Sequence, residues 1–268
     1  MKNNYLDLFE IIKKGALKKE TLGDIYNRQV QINSTSINNF FENMMNEVDL
    51  SRYDKFNCYK KYINLLGEKF KDCFEFTGGK SYRFFHSQNV AFLANQIAEI
   101  MNLNEYDRNI VVLSGLFHDI GKSIDCFKNV DSDGFCGIER KLNIKHEEIS
   151  ANMAKEVLEL DFDLDICEKV VSAILDESCE SLYSKILFDA DNMAELGEIG
   201  IFRMFYYTVC DGQSIEKMID FWHNHGHNKK IQKVDKSQFD VSKILITNRL
   251  NFMSDFILDF SKEVQIIR

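Results

Sequence analysis

The residues with the clearest chemical potential in this chain are His118 and Asp119, which are adjacent in Leu113-Ser-Gly-Leu-Phe-His-Asp-Ile-Gly-Lys122. An imidazole nitrogen and hard carboxylate oxygens together suit a divalent metal ion that also holds water. Adjacent residues of a helix point about 100° apart, so both side chains can reach one ion only where the backbone changes direction. Gly121 permits such a change, and we therefore expect a turn at this point.

Two further residues of ligand type lie far from this pair along the chain. His86 stands in Tyr82-Arg-Phe-Phe-His-Ser-Gln-Asn-Val-Ala91, at the start of a helical pattern, and Asp191 stands in Ile186-Leu-Phe-Asp-Ala-Asp-Asn-Met-Ala-Glu-Leu-Gly197. The order His, His-Asp, Asp resembles the metal-binding signature of the HD superfamily of phosphohydrolases, and the likeness runs over residues 82–211. This resemblance implies one divalent metal ion held by His86, His118, Asp119 and Asp191.

A more specific likeness begins at the last of these residues. Asp189-Ala-Asp191, continued by Gly197-Glu-Ile-Gly-Ile-Phe-Arg203, is similar to a run that follows the final metal ligand in one bacterial subgroup of HD hydrolases. Residues two apart on a helix point about 200° apart, so Asp189 and Asp191 do not share one ion. We expect Asp189 to support the fold or a ligand histidine through a hydrogen bond. Arg203 would pair with an acid or reach a phosphate.

The implied ligand set has the chemistry of a catalytic centre. Two imidazoles and two carboxylates leave positions on the ion open for water and a substrate oxygen, and Mn, Fe, Co, Ni, Zn or Mg could serve. The ion would lower the pKa of water and stabilise charge on a phosphoryl oxygen. The resemblance thus implies a metal-dependent phosphohydrolase of a small phosphorylated metabolite. The subgroup likeness favours a nucleotide.

Two nearby cations are candidates for catalysis beside Asp119. Lys122 lies three residues after Asp119, so a helix-like turn would place its ammonium on the same side, where it could bind a substrate phosphate. A surface lysine in a tight turn is the alternative, and both stay open. His146 opens a helix where two-metal relatives have a further histidine, and we expect it to bind phosphate or transfer a proton.

A second metal ion is a secondary expectation. In two-metal relatives the next helix also supplies histidines, but here it reads Ile174-Leu-Asp-Glu-Ser178. Asp176 or Glu177 could offer oxygen ligands instead, although solvated acids are the simpler interpretation.

The three alternating histidines in His223-Asn-His225-Gly-His227 are a further candidate cluster. Alternation suits a strand or an extended loop, but a metal site needs three or four convergent ligands and nothing nearby in the sequence completes one. We expect a solvated loop.

Composition limits the function classes. The net charge of −9 argues against stable nucleic-acid binding, although a metal and a few cations can still create an anion site. Apolar stretches are too short to span a bilayer, and the first residues lack a signal-peptide layout. Seven dispersed cysteines without a CxxC pair indicate reduced thiols. We expect a cytoplasmic protein with no membrane association, and homo-oligomerisation is left open.

The elements that must position these residues are helices. Apolar residues recur at three- and four-residue spacing through most of the chain, and no segment alternates long enough to demand a sheet. The pattern predicts an all-α HD-domain helical bundle over residues 80–268, preceded by a helical N-terminal extension over residues 1–76. Thr77-Gly78-Gly79 marks the boundary between them. The extension would pack on the main domain or bind a partner.

Two other functions remain open at this stage. One is a di-iron oxygenase on the same scaffold, which needs more histidine or carboxylate ligands than can be placed. The other is a nucleotide-sensing or interaction protein with a slow or inactive HD core, which the long N-terminal segment would suit.

Overall fold

The computed structural model describes residues 56–75, 78–124, 145–176 and 178–266. Glu177 and most of the predicted N-terminal extension lie outside these ranges, as do residues 126–140, whose Gly- and Asp-rich sequence predicts a loop. The chain divides by contacts into Met1–Tyr59 and Lys60–Arg268. In the first unit, the described residues contain one short 3-10 helix, Asn57–Tyr59. The predicted division at residues 76–80 stays a prediction, although the unit that carries the site already begins at Lys60.

The second unit is helical, as predicted, and its elements follow the chain in this order: α1 (Lys60–Phe70), β1 (Phe74–Glu75), β2 (Gly79–Lys80), α2 (Tyr82–Ile100), α3 (Glu105–Phe117), a 3-10 turn (Ile120–Ser123), α4 (His146–Leu158), α5 (Leu164–Leu175), α6 (Leu182–Ala194), α7 (Glu198–Cys210), α8 (Ile215–Phe221), a π-helical turn (Trp222–Gly226), α9 (His227–Lys236) and α10 (Asp240–Ile266). The strands β1 and β2 form a two-residue antiparallel ladder. The all-α fold class is therefore confirmed. None of the described helices combines the length and the apolar character needed to cross a bilayer.

The helix α3 is the centre of the unit. Every residue from Ile110 to Phe117 is buried, so this part of the helix is apolar on all sides, as a central helix must be. It packs against α2, α5 and α6. Its first turn is capped by Asn104, whose side chain accepts a hydrogen bond from the Asp107 amide at 2.9 Å. This cap fixes the start of the helix at Glu105, five residues before the buried run that begins at Ile110.

The close crossing of α2 and α3 depends on Gly115. A Cβ atom at this position would lie 2.6 Å from the Cα of Ala91, which is far inside van der Waals contact. The two backbones therefore approach more closely than any larger residue would permit. This approach matters for the site, because His86 on α2 and His118 at the end of α3 flank the crossing.

Gly121 also acts through close packing. The backbone changes direction at Asp119, where φ is −109° and ψ is 4°, and the 3-10 turn follows. A Cβ on Gly121 would meet the carbonyl oxygen of His146 at 2.5 Å. The Gly121 amide donates to Ser150 Oγ at 2.9 Å. The glycine is thus needed so that the turn can lie against the first turn of α4, and a left-handed conformation is not involved.

The C-terminal helices are attached through Asp189, which is fully buried. Its carboxylate accepts hydrogen bonds from the backbone amides of Gln238 and Phe239 at 2.9–3.1 Å, just before α10 begins. This is the support for the fold that the sequence predicted. Gly200 on α7 likewise permits close packing, since a Cβ there would lie 2.8 Å from Met253 Sδ on α10.

The prediction of an extended, solvated loop at residues 223–227 was wrong. This segment is helical, because the chain passes from α8 through the π-helical turn directly into α9. The ring of His225 lies 6.1 Å from that of Phe221, and the ring of His227 lies 5.6 Å from that of Trp222. The buried Trp222 and Gly226 anchor the turn, which the alternation of histidines did not reveal.

Gly115→Ala should lower the free energy of unfolding by about 1–3 kcal/mol, because the new methyl group forces α2 and α3 apart. Gly67→Ala is the matched control. Its Cβ would meet Phe84 at an ordinary 3.5 Å, so the higher helix propensity of alanine should stabilise by about 0.5–1 kcal/mol. Urea denaturation measures both. Equal effects of the two substitutions would contradict the close crossing.

Candidate metal centre

Three ligand atoms from three helices converge at the end of α3. His86 Nε2 on α2 lies 3.0 Å from Asp191 Oδ1 on α6 and 3.3 Å from His118 Nε2. The third separation, His118 Nε2 to Asp191 Oδ1, is 3.9 Å. Among the described residues, these three form the cluster of metal-ligand type with all ligand atoms within 4.8 Å of one another.

The spacing of the three atoms fits a single ion. The point in their plane that is equidistant from all three lies about 2.0 Å from each, which is the distance at which zinc and similar ions bind imidazole nitrogen and carboxylate oxygen. One side of this plane would remain open for further ligands, as in a catalytic site.

His118 is held in the tautomer that a metal ligand requires. Its Nδ1 lies 2.8 Å from the carbonyl oxygen of Gly115, and because a carbonyl can only accept, the proton is on Nδ1 and the lone pair is on Nε2. Burial lowers the pKa of His118, although Asp119 and Asp191 oppose this effect. The neutral imidazole is therefore favoured, and its Nε2 faces the other two ligand atoms.

Asp191 presents a carboxylate oxygen to the two imidazoles. Although the side chain as a whole is 47% exposed, Oδ1 is shielded from solvent, and His86 Nε2 lies 3.0 Å from it. Burial would raise the pKa of Asp191, but the contact with His86 and the proximity of His118 outweigh it and hold the pKa below its ordinary value. A shielded, ionised oxygen beside two ring nitrogens would be stabilised by a cation at this point.

Asp119 is the most heavily paired carboxylate of the site. Its Oδ2 lies 2.8 Å from Arg83 Nη1, and its Oδ1 lies 2.8 Å from Lys122 Nζ. The same Oδ2 lies 3.7 Å from His118 Nε2 and 3.9 Å from His86 Nε2. Burial alone would raise the pKa of Asp119, yet Lys122 and the other cations around it hold that pKa well below its usual range. Asp119 is thus an ionised neighbour of the three-atom cluster, and its direct ligation of a metal stays a prediction.

The two predicted catalytic cations both lie at Asp119. Lys122 follows it by three residues, and the 3-10 turn directs the ammonium to the carboxylate as the spacing predicted. His146 begins α4, and its Nε2 lies 3.4 Å from Asp119 Oδ1 and 3.1 Å from Glu147 Oε1. Both side chains line a cavity of about 360 Å³ beside the three-atom cluster, which we call the metal-centre cavity. Its other lining residues include Arg83, His86, His118, Asp119, Asp176, Asp191, Glu195 and Arg203.

Asp176 serves the fold. Its carboxylate accepts hydrogen bonds from the hydroxyls of Ser178 and Ser184, both at 2.6 Å, and from the amides of Glu180 and Ser181 at 2.9 and 3.0 Å. Hydrogen bonds, above all that from Ser178, lower the pKa of Asp176. Asp176 thus joins the end of α5 to the start of α6, and its role as a ligand of a second ion stays a prediction.

A cluster of cations around Glu195 adjoins the metal-centre cavity. Glu195 Oε2 lies 2.6 Å from Lys233 Nζ and 3.7 Å from Lys230 Nζ, and Oε1 lies 3.3 Å from Arg203 Nη1. We call these four residues the Glu195 cluster. Burial would raise the pKa of Glu195, but Lys233 and the other cations lower it to about 2. Arg203 therefore pairs with an acid, one of the two predicted roles, and its guanidinium lies 4.7 Å from the ring centre of Tyr82.

Sequence reasoning missed two groups of residues. Arg83 lies three residues before His86, and Glu195 lies four residues after Asp191, so helical spacing from a proposed ligand was a signal that could have identified both. Lys230 and Lys233 meet Glu195 only through tertiary packing, and nothing in their local sequence indicates it.

Residues 83–196 match the model of the HD domain family. No curated protein matches the sequence. A predicted HD superfamily hydrolase from an uncultured Thermotogales bacterium is similar in structure, with a TM-score of 0.53 and 21% identity over 76% of this chain and 91% of that one. An HD-superfamily hydrolase from Bacillus thuringiensis has a TM-score of 0.54 and 18% identity, and the likeness covers 80% of this chain and 98% of that one. Bacillus subtilis YpgQ, solved in complex with ADP, has a TM-score of 0.50 and 18% identity, with 76% of this chain and 97% of that one covered. At these identities the structural likeness shows a shared fold.

His118→Ala and Asp191→Ala should each weaken divalent-metal binding by at least about 100-fold, because each removes one of three convergent ligand atoms. At metal concentrations near 100 times the wild-type dissociation constant, wild-type protein should melt roughly 5–10 °C higher than metal-free protein, and the variants should not. Elemental analysis after dialysis and thermal melts measure this.

His225→Ala is the control for the loss of an imidazole, because His225 lies beside Phe221 and outside the three-atom cluster. It should keep wild-type metal content. Retention of metal by Asp191→Ala, or its loss in His225→Ala, would contradict the assignment.

Lys230→Met should change how stability depends on pH. Burial lowers the pKa of Lys230 to about 8, because the attraction of Glu195 does not offset the desolvation and the repulsion from Lys233. In the unfolded chain its pKa is near 10.5, so the unfolded state binds more protons between pH 8 and 10.5 and the wild-type protein gains stability as pH rises through this interval. The variant lacks this gain, which is worth about 2 kcal/mol.

Thermal melts at pH 7 and pH 10 test this. The melting temperature of Lys230→Met minus that of wild type should be roughly 4–8 °C more positive at pH 7. Lys236→Met, on the same helix but outside the Glu195 cluster, should show no such dependence. The same trend in both variants would mean that the titration belongs to another group.

Proposed function

Residues 83–196 form an HD domain, and from this premise we propose that the protein is a metal-dependent phosphohydrolase of small organic phosphates, with nucleotides as the preferred class. HD domains bind divalent metals, and the observation that carries the proposal is the convergence of the solvent-shielded Asp191 Oδ1 with the Nε2 atoms of His86 and His118. His86, His118 and Asp191 would hold the ion. When bound, it would supply activated water and a Lewis acid for a phosphoryl oxygen.

Asp119 has a positioning role in this proposal. It lies next to the three-atom cluster and is fixed on its other side by Arg83, which also forms an ion pair with Glu75 on β1 at 2.5 Å. The carboxylate therefore stays ionised and cannot rotate away. In this position it can accept a hydrogen bond from the attacking water and direct it, and it is available as a further ligand.

Lys122 and His146 would act on the substrate. Both contact Asp119 Oδ1 and line the metal-centre cavity, with side chains that are 17% and 22% exposed. A phosphate entering the cavity would replace part of the Asp119 contact of Lys122 by a charge-assisted hydrogen bond. His146 lies at the start of α4 with its Nε2 towards the cavity, where it can donate a proton to phosphate or to the leaving oxygen.

A nucleotide is preferred for two reasons. The sequence resembles the bacterial subgroup through its run from Asp189 to Arg203, and a protein of similar fold, YpgQ, was solved with ADP. Neither reason identifies a base or a sugar. Adenine nucleotides are therefore the first compounds to test, beside phosphorylated compounds without a base.

The di-iron alternative gains no support from the described residues. Asp176, the acid considered for a second metal, is occupied by four hydrogen bonds within the fold. The sensing alternative differs from the proposal only in turnover, so an assay of hydrolysis decides between them. The predicted role of the N-terminal segment, packing on the main domain or binding a partner, is kept as a proposal.

Purified protein should release phosphate from at least one member of a panel of AMP, ADP, ATP and a simple sugar phosphate when Mn²⁺, Mg²⁺ or Zn²⁺ is supplied, and Asp191→Ala should not. Lys122→Met should lower kcat/KM by about 10–100-fold while retaining metal, because one charge-assisted hydrogen bond to phosphate is lost. Phosphate release and elemental analysis measure the two effects separately.

Lys155→Met is the matched control, since Lys155 on α4 pairs with Glu159 at 3.7 Å and does not line the metal-centre cavity. It should hydrolyse like wild type. Tight nucleotide binding without phosphate release across the whole panel would reject the hydrolase and favour the sensor.

A further inference from the structure

A second cavity, of about 930 Å³, lies among α7, α8, the π-helical turn and α9. We call it the basic cavity, because five cationic residues line it: Arg203, Lys217, Lys229, Lys230 and Lys233. All of them follow residue 196, where the match to the HD domain ends. The cavity is therefore built by the C-terminal helices of this chain, outside the segment that supplies the metal ligands.

The inner wall of the basic cavity carries an excess of positive charge. Arg203, Lys230 and Lys233 are each 20–25% exposed and contact Glu195 at 2.6–3.7 Å, and Arg203 also lies 3.9 Å from Glu75 Oε1. Lys230 and Lys233 therefore share the Glu195 carboxylate with a third cation in a half-buried place, on a chain whose net charge is −9. Burial lowers the pKa of Lys230, and repulsion from Lys233 and Arg203 adds to this effect, so an anion beside Lys230 would stabilise its charged form.

The other residues at the mouth are of two kinds. Asp211 and Asp220 also line the cavity, and like Lys217 and Lys229 they are exposed, so solvent screens all four charges. The walls carry apolar side chains, among them those of Tyr207 and Phe221, which remain 43% and 49% exposed. Exposed aromatic rings beside half-buried cations suit an organic anion with a flat apolar body.

We propose that the basic cavity binds an organic anion, with its phosphate or carboxylate group at Lys230 and Lys233 and its flat apolar part against Tyr207 and Phe221. The ammonium groups supply charge-assisted hydrogen bonds, and Glu195 holds them in place without neutralising them. A long nucleic acid does not fit an indented cavity on an acidic chain, so the ligand is a small molecule.

Two sources of this ligand share the same chemistry. Glu195 and Arg203 line both cavities, and Glu195 follows the proposed ligand Asp191 by four residues, a rise of about 6 Å at helical geometry. The anion is therefore either the distant end of a substrate whose phosphoryl group lies in the metal-centre cavity, or a separate effector. The first source rests on the proposed function, and the second does not.

Calorimetric titration of the full chain with ADP in the presence of EDTA tests the site without metal or turnover. Lys230→Met should weaken ADP binding by about 10–100-fold, as expected for one charge-assisted hydrogen bond in a half-buried site. The substitution leaves Glu195 with Lys233 and Arg203, so the fold is expected to persist. Lys233→Gln provides a second variant should the first fail to fold.

Lys236→Met is the matched control, since it removes a lysine from the same helix but outside the basic cavity, and it should bind ADP like wild type. Equal affinity in wild type, Lys230→Met and Lys233→Gln, or no ADP binding by wild type, overturns the proposal. Because no turnover is measured, a failure of the phosphohydrolase assay leaves this result intact, and the two proposals can fail separately.

The Lys122→Met variant distinguishes the two sources. If ADP spans both cavities, loss of Lys122 in the metal-centre cavity also weakens ADP binding. If the ligand is a separate effector, Lys122→Met binds ADP like wild type, and Lys230→Met alone is impaired. Either result supports the basic cavity as an anion site and assigns its ligand.

Discussion

The site depends on a buried charge, the carboxylate of Asp119, which is 2% exposed. An ionised carboxylate in such a place is tolerated only when cations pair with it, and removal of one partner from a buried pair costs about 3–5 kcal/mol. Arg83 and Lys122 supply those cations from two directions, and Glu75 fixes Arg83 in turn. The small β1–β2 ladder, the start of α2 and the 3-10 turn therefore share one electrostatic network. Their positions cannot be changed independently.

The same network provides Asp119 with cationic partners closer than the histidines. Arg83 and Lys122 each lie 2.8 Å from the carboxylate, whereas His118 and His86 lie 3.7 and 3.9 Å from it. Burial of His118 then lowers its pKa, and the hydrogen bond from its Nδ1 to the Gly115 carbonyl aims the lone pair of Nε2 at the cluster. Gly115 thus has two functions, since its missing side chain brings α2 against α3 and its carbonyl orients the ligand.

The sequence predicted the all-α class because apolar spacing reports directly which face of a helix is buried. The proximity of His86, His118 and Asp191 could be expected only through resemblance to a family, since no local pattern relates residues that lie 32 and 73 positions apart. The sequence suggested that Gly121 is needed for a change of backbone direction, whereas the structure shows that it is needed for close packing against α4. A sequence shows that glycine lacks a side chain, but it does not show which atoms occupy that space. The prediction of a loop at residues 223–227 was wrong for a related reason. Alternation is a weak signal when a buried tryptophan and glycine hold the segment in a π-helical turn.

The relation between the two cavities follows from the geometry at the end of α6. Asp191 lies in the last turn of this helix, and Glu195 directly follows the helix, four positions further on. At Asp191 the carboxylate converges with the imidazole nitrogens of His86 and His118, an arrangement that suits a metal cation. At Glu195 the carboxylate contacts three cations, and the excess of positive charge suits an anion. A ligand that carries both a metal-seeking phosphoryl group and a second anionic group would match both preferences. A ligand with only one of these groups would be complementary to one cavity and would gain no contacts from the other.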